Sequence, residues 1–215
     1  MTGGQTIEID QRLPVTARSG APGIYLAYCG GYPECHTVLL WRAGTGTART
    51  VGAGGDVENV NVAPGPDRRL WVMWEDNHAN AILARRSDPS VGCMGAAVAV
   101  DQPPGSDPVW TLTGEGSLGP LDLFANAAAS GTSPAATWYT RVLPGLTLAA
   151  QGGSTVRFKV TDACRPVAGA RIRVGGGAVV TDAKGMAAAD LPAGSYRAVA
   201  TKSGYTSASA RVTSS

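Results

Sequence analysis

Charge, histidine and long apolar runs are all scarce in this 215-residue chain. Only 16% of the residues are charged, and the net charge at neutral pH is +2. The densest basic points, Arg68-Arg69 and Arg85-Arg86, are pairs at a turn and at a strand end. They fall short of the basic stripe that neutralises phosphates, so no nucleic-acid partner is expected. No stretch of about 18 apolar residues occurs, so membrane insertion is not expected. The first residues, MTGGQTIEIDQ, have neither a basic start nor an apolar core, and no signal peptide is expected in this chain. Only His36 and His78 could serve a Ser-His-Asp arrangement, and no G-x-S-x-G elbow accompanies either. The glycine-rich runs VGAGGDV and RVGGGAV lack a following helix and lysine, which makes them turns between strands, not phosphate cradles. Four cysteines are too few for a disulfide scaffold, and their spacing is not that of a zinc site. No catalytic residue, metal or cofactor is expected.

What the chain does have is 29 glycines and 14 prolines among abundant Val, Thr, Ala and Ser, a composition suited to short strands and tight turns. Three stretches repeat one pattern: Leu13 to Tyr28, Asn59 to Trp74 and Val109 to Asn126 each run from an extended segment through a Gly/Pro turn into an apolar strand. The equivalent positions Ile24, Leu70 and Leu121 lie roughly 46 to 51 residues apart, the period of one four-stranded propeller blade. The expected fold is all-β. Residues 1–150 would form three four-stranded, blade-like antiparallel sheets (12–56, 57–105 and 106–150), a partial or open propeller. In LWVMW, Leu70, Val72 and Trp74 point one way and Trp71 and Met73 the other, so this strand should lie between two sheets.

Gln151-Gly152-Gly153-Ser154 reads as a linker to a second domain, 151–215. There STVRFKVTDA alternates, with Val156, Phe158 and Val160 on one face and Arg157 and Lys159 on the other. In TDAKG, Gly185 takes the position of positive φ and Asp182 can cap the turn. The order and spacing of VTDA, PVAGARIRVGG, VVTDAKGMA and LPAGSYRAVATKSGY resemble the carboxypeptidase-regulatory-like or prealbumin-like (Ig-like) sandwich modules of secreted bacterial proteins. That resemblance implies a structural or binding accessory domain with no active site. APGPDRRLWVMW and ILARRSDPS followed by AAVAV resemble the last blades of a bacterial sialidase-like (BNR-type) propeller. The Asp-box turn itself is absent, and three units cannot supply the arginines, tyrosine, glutamate and aspartate of a sialidase. This second resemblance implies the scaffold and not the hydrolase.

Among candidate sites, Glu75, Asp76, Asn77, His78 and Asn80 cluster in one polar segment that could hold a cation or hydrogen-bond a sugar. The plainer reading is an exposed hairpin loop, because the calcium-loop spacing and its glycine are missing. Asp107 and Glu115 sit in turns; Asp122 lies inside a strand, where it can satisfy donors at a strand end. Trp41, Trp71, Trp74, Trp110, Trp138 and Tyr139 could form a sugar platform, but they lie within apolar strands where core packing is the usual role. Cys29 and Cys35 flank the GGYPE loop of a hairpin, within bridging distance. Cys93 and Cys164 would clamp the second domain to the second unit if bonded, or else remain as two buried thiols. Disulfides suit a secreted or cell-surface protein.

These readings favour a non-catalytic extracellular or envelope protein acting in binding, adhesion or assembly. Its partner would be a second copy or another protein at the unpaired sheet faces, with carbohydrate as a further possibility. The alternatives are the C-terminal part of a sialidase-like glycoside hydrolase, and a carbohydrate-binding module.

Overall fold

A computed structural model of the chain describes residues 13–31, 34–101, 106–129 and 136–215. Residues 1–12, Tyr32 and Pro33 of the GGYPE loop, and the Asp107 and Trp110 side chains lie outside the described residues. The protein is all-β, with no helix among the described residues. The first sheet is β1 (Val15–Ala17), β2 (Ile24–Gly30), β3 (Thr37–Arg42) and β4 (Arg49–Ala53), paired antiparallel in chain order. The second repeats this meander with β5 (Val57–Pro64), β6 (Leu70–Asp76), β7 (Ala81–Arg86) and β8 (Val98–Asp101). The third consists of β9 (Ser106–Glu115), β10 (Leu121–Ala129) and β11 (Ala136–Val142). Turn chemistry explains the tight reversals. Between β5 and β6, Asp67 and Arg68 take φ of 53° and 65°, and the Gly65 amide donates to the Arg69 carbonyl at 2.9 Å. Two successive left-handed residues match the right-handed twist of the strands they join.

The three sheets stack face to face, and β6 lies at the centre with every residue buried. Leu70, Val72 and Trp74 pack with Tyr25, Ala27, Val38 and Leu40 of the first sheet. Trp71 and Met73 pack with Leu112, Leu121, Leu123 and Ala125 of the third. Burying a large apolar side chain in this way contributes roughly 1.5–3 kcal/mol. Glycines from the flanking chain let both indoles approach closely. A Cβ on Gly52 would sit 2.8 Å from the Trp74 ring, and one on Gly116 would sit 2.5 Å from that of Trp71.

The third unit departs from expectation. LTLAA, expected as its fourth strand, is instead β12 (Thr147–Gln151), which pairs with β13 (Thr155–Asp162) of the second domain. Pro144 interrupts the chain after β11, and Leu146 and Leu148 enter the second domain's core. QGGS is therefore the turn of a hairpin within that domain and not a linker. Gly152 there lies so close to the Thr213 carbonyl that no side chain fits.

The second domain is a sandwich. One sheet contains β12, β13, β14 (Arg165–Pro166) and β17 (Met186–Asp190), and the other is ordered β16 (Gly177–Val180), β15 (Arg171–Val174), β18 (Gly194–Thr201), β19 (Ala208–Ser214). Val156, Phe158 and Val160 face Ile172, Ala198, Ala200 and Val212 across its core. In the turn between β16 and β17, Gly185 has φ of 71°, and Asp182 Oδ1 accepts from the Lys184 and Met186 amides at 2.8 and 2.9 Å.

Candidate functional site

The polar segment after LWVMW does not converge on one point. Glu75 and Asp76 belong to β6 and are buried, and as successive strand residues they face opposite sheets. Asp76 accepts from the Gly55 and Asp56 amides at 3.2 and 3.3 Å and from Ala79 at 3.4 Å, tying two loops together. Asn77, His78 and Asn80 form the exposed turn, where Asn80 takes φ of 50° and donates its amide to the Asn77 carbonyl. Among the described residues no group of three His, Cys, Asp or Glu side chains is arranged to hold a metal.

Glu75 turns toward the third sheet and is 1% exposed. Its Oε2 accepts from Asn59 Nδ2 at 2.8 Å, and the same amide nitrogen donates to the Val109 carbonyl at 2.6 Å. Asn59 reaches both because it sits in a bulge of β5 with φ of 48°. Burial pushes the Glu75 pKa up to about 7; the Asn59 hydrogen bond works against this, and Glu58 and Asp56 add to the rise. Perturbed carboxyls often mark active sites. This one is sealed between two sheets, and its role is structural: Asn59 ties it to the backbone of the third sheet.

The densest polar contact joins the stack to the sandwich. Asp162, 2% exposed, accepts through Oδ2 from Arg86 Nη2 at 2.6 Å and from Arg69 Nη1 at 3.2 Å. The Arg86 guanidinium lies 5.7 Å from the centre of the Trp71 ring and 5.9 Å from that of Tyr205. Beside it Cys93 is bonded to Cys164, with Cα atoms 6.0 Å apart. Gly145 bridges the two parts through Ala96 and Thr206. Cys29 is bonded to Cys35 across the first hairpin. Two disulfides are compatible with an extracellular protein.

The two outer faces of the stack differ in chemistry. On the first sheet the outward positions are Val15, Ile24, Leu26, Tyr28, Leu39 and Trp41, set side by side by the pairs Val15–Leu26, Leu26–Trp41 and Tyr28–Leu39. Val15 and Ile24 are 57% and 51% exposed, Leu26, Tyr28 and Trp41 are half-buried, and Leu39 is buried. The outer face of the third sheet carries Thr111, Thr113, Asp122, Phe124, Tyr139 and Arg141. There Arg141 holds Asp122 through Nε at 2.8 Å and Nη2 at 3.3 Å, and the Tyr139 hydroxyl donates to Asp122 Oδ1 at 2.8 Å. Arg141, with help from Tyr139, keeps the Asp122 carboxyl below its ordinary pKa. Tyr139 packs on Phe124 with ring centres 5.2 Å apart. Of the candidate aromatics, Trp71 and Trp74 are core, Trp138 borders the core, and Trp41 and Tyr139 lie on opposite outer faces.

The pairings of Asn59 with Glu75 and of Asp162 with Arg86 leave no local spacing in the sequence, because one depends on a bulge and the other joins residues 76 positions apart. No protein-family model matches the chain, and no curated protein matches its sequence.

Proposed function

We propose that the protein is a non-catalytic binding and assembly protein of the cell exterior, whose interaction face is the outer side of the first sheet. One observation carries this reading: of the two ends of the stack, the third sheet is finished with polar and ion-paired groups, while the first presents an apolar, uncharged face. A flat apolar sheet face gains by being covered with another sheet about 10 Å away. The occupant we propose is a second copy of this chain. Two-fold pairing sets each surface against itself, and an uncharged face meets its own image without repulsion. The glycoside-hydrolase alternative has less support, since it needs two accessible carboxyls about 5 to 9.5 Å apart and Glu75 is sealed. Light scattering on the purified chain tests the proposal. A dimer that becomes monomeric in Ile24→Arg is expected, and a monomer at every concentration overturns the reading.

A further inference from the structure

The sandwich domain has a charge pattern that the small net charge of the whole chain conceals. Residues 146–215 hold nine basic side chains against three acidic ones. Each acid is already engaged: Asp162 in the clamp, Asp182 in its turn, and Asp190 with the hydroxyl of Thr155, its partner across the β13–β17 pair. On the sheet formed by β16, β15, β18 and β19, the alternation that buries Ile172, Val174, Ala198, Ala200 and Val212 turns Arg171, Arg173, Arg197 and Arg211 outward, all exposed. Pairing then sets their order. Arg173 lies opposite Val199, two residues from Arg197, and Arg197 lies directly opposite Arg211.

With strand rise of about 3.4 Å and strand spacing of about 4.8 Å, the four arginines form a diagonal stripe roughly 17 Å long, in steps of about 5 to 8 Å. None of them makes an ion pair among the described residues, and Arg197 donates only to the Ser209 hydroxyl, at 3.3 Å. Like charges directly opposite on a sheet destabilise it, so this face carries a cost that an anionic ligand would relieve. The stripe runs into a groove of about 610 Å³ lined by Ala150, Gly152, Tyr196, Arg197, Arg211 and Thr213. The groove gives one end of the stripe a depth that a plain charged surface lacks.

We propose that this stripe and groove bind a linear acidic polysaccharide, each guanidinium pairing with a carboxylate or sulfate along the chain. A repeating anion at sugar spacing meets the steps of the stripe, and the groove takes one sugar ring. The proposal does not depend on how the first sheet is covered, because it concerns the other domain.

The test is binding of the full chain to polygalacturonate, which carries carboxylates, and to dextran sulfate, with neutral dextran and double-stranded DNA as comparators. Binding to at least one acidic polysaccharide is expected, weakening as salt rises; the two polymers distinguish carboxylate from sulfate. Arg197→Gln/Arg211→Gln should lower affinity at least about tenfold and reduce the salt slope by about two. Arg157→Gln/Lys159→Gln removes the same charge from the opposite sheet and should leave binding within about twofold. Unchanged circular dichroism in both variants shows that the fold is kept. Equal loss in the two variants, equal binding to neutral dextran, tighter binding to DNA, or no binding at low salt would each overturn the proposal.

Discussion

Replacing Glu75 with glutamine should remove a pH dependence that the wild-type chain carries in its core. In the folded protein burial raises the carboxyl pKa from 4.5 to about 7, with Glu58 and Asp56 pushing the same way. The unfolded chain gives up its proton near the ordinary glutamate value. The folded state therefore holds a proton that the unfolded state releases. The stability associated with it is fully present below about pH 4.5, falls as pH rises toward 7, and is gone above that. At about 1.4 kcal/mol per pKa unit, the loss between pH 4.5 and 8 is roughly 3 kcal/mol. Glutamine keeps an acceptor for Asn59 Nδ2 and stays neutral throughout. Urea unfolding followed by tryptophan fluorescence measures the difference, and all five tryptophans precede β12, so the signal reports on the stacked sheets. Wild type should lose roughly 3 kcal/mol more than Glu75→Gln across that range. Parallel pH profiles, or a wild type that gains on the variant as pH rises, would refute the reasoning.

The clamp and the disulfides give further expectations. Asp162→Asn leaves Arg69 and Arg86, with side chains 13% and 10% exposed, without their countercharge; it should cost about 3–5 kcal/mol in urea unfolding. Replacing Cys93 and Cys164 with serine opens a loop of 71 residues and should cost about 4 kcal/mol by chain entropy. The same exchange at Cys29 and Cys35, with a separation of 6, should cost about 2 kcal/mol, so the first pair should lower the melting temperature more.

Where burial follows directly from alternation, the sequence was informative. LWVMW is apolar in both registers, and the structure sends Leu70, Val72 and Trp74 to one neighbour and Trp71 and Met73 to the other. LTLAA misled because its alternation suits either sheet; Pro144 and the fit of Leu148 decide the matter, and the second of these is a tertiary fact. Glu75 and Asp76 looked like loop residues because NHAN follows them, yet the amides of Gly55 and Asp56, some twenty positions earlier, let β6 continue through them. The arginine stripe stayed hidden for a similar reason. Arg171 and Arg173 show the strand period, but Arg197 and Arg211 join them only once β18 pairs with β15 and β19.

Tension applied to the two ends of this chain would follow an unequal path. Force entering at β1 passes through the first two sheets to Cys93, crosses the sulfur bridge to Cys164, and leaves through the remainder of the sandwich. The whole third sheet lies between those two cysteines in sequence. While the bridge is oxidised that sheet bears no load, and its extension is missing from the stretched contour length. Reduction would put it in series with the rest and add its residues to the length that can be drawn out. A chain built this way has a redox-dependent length in reserve.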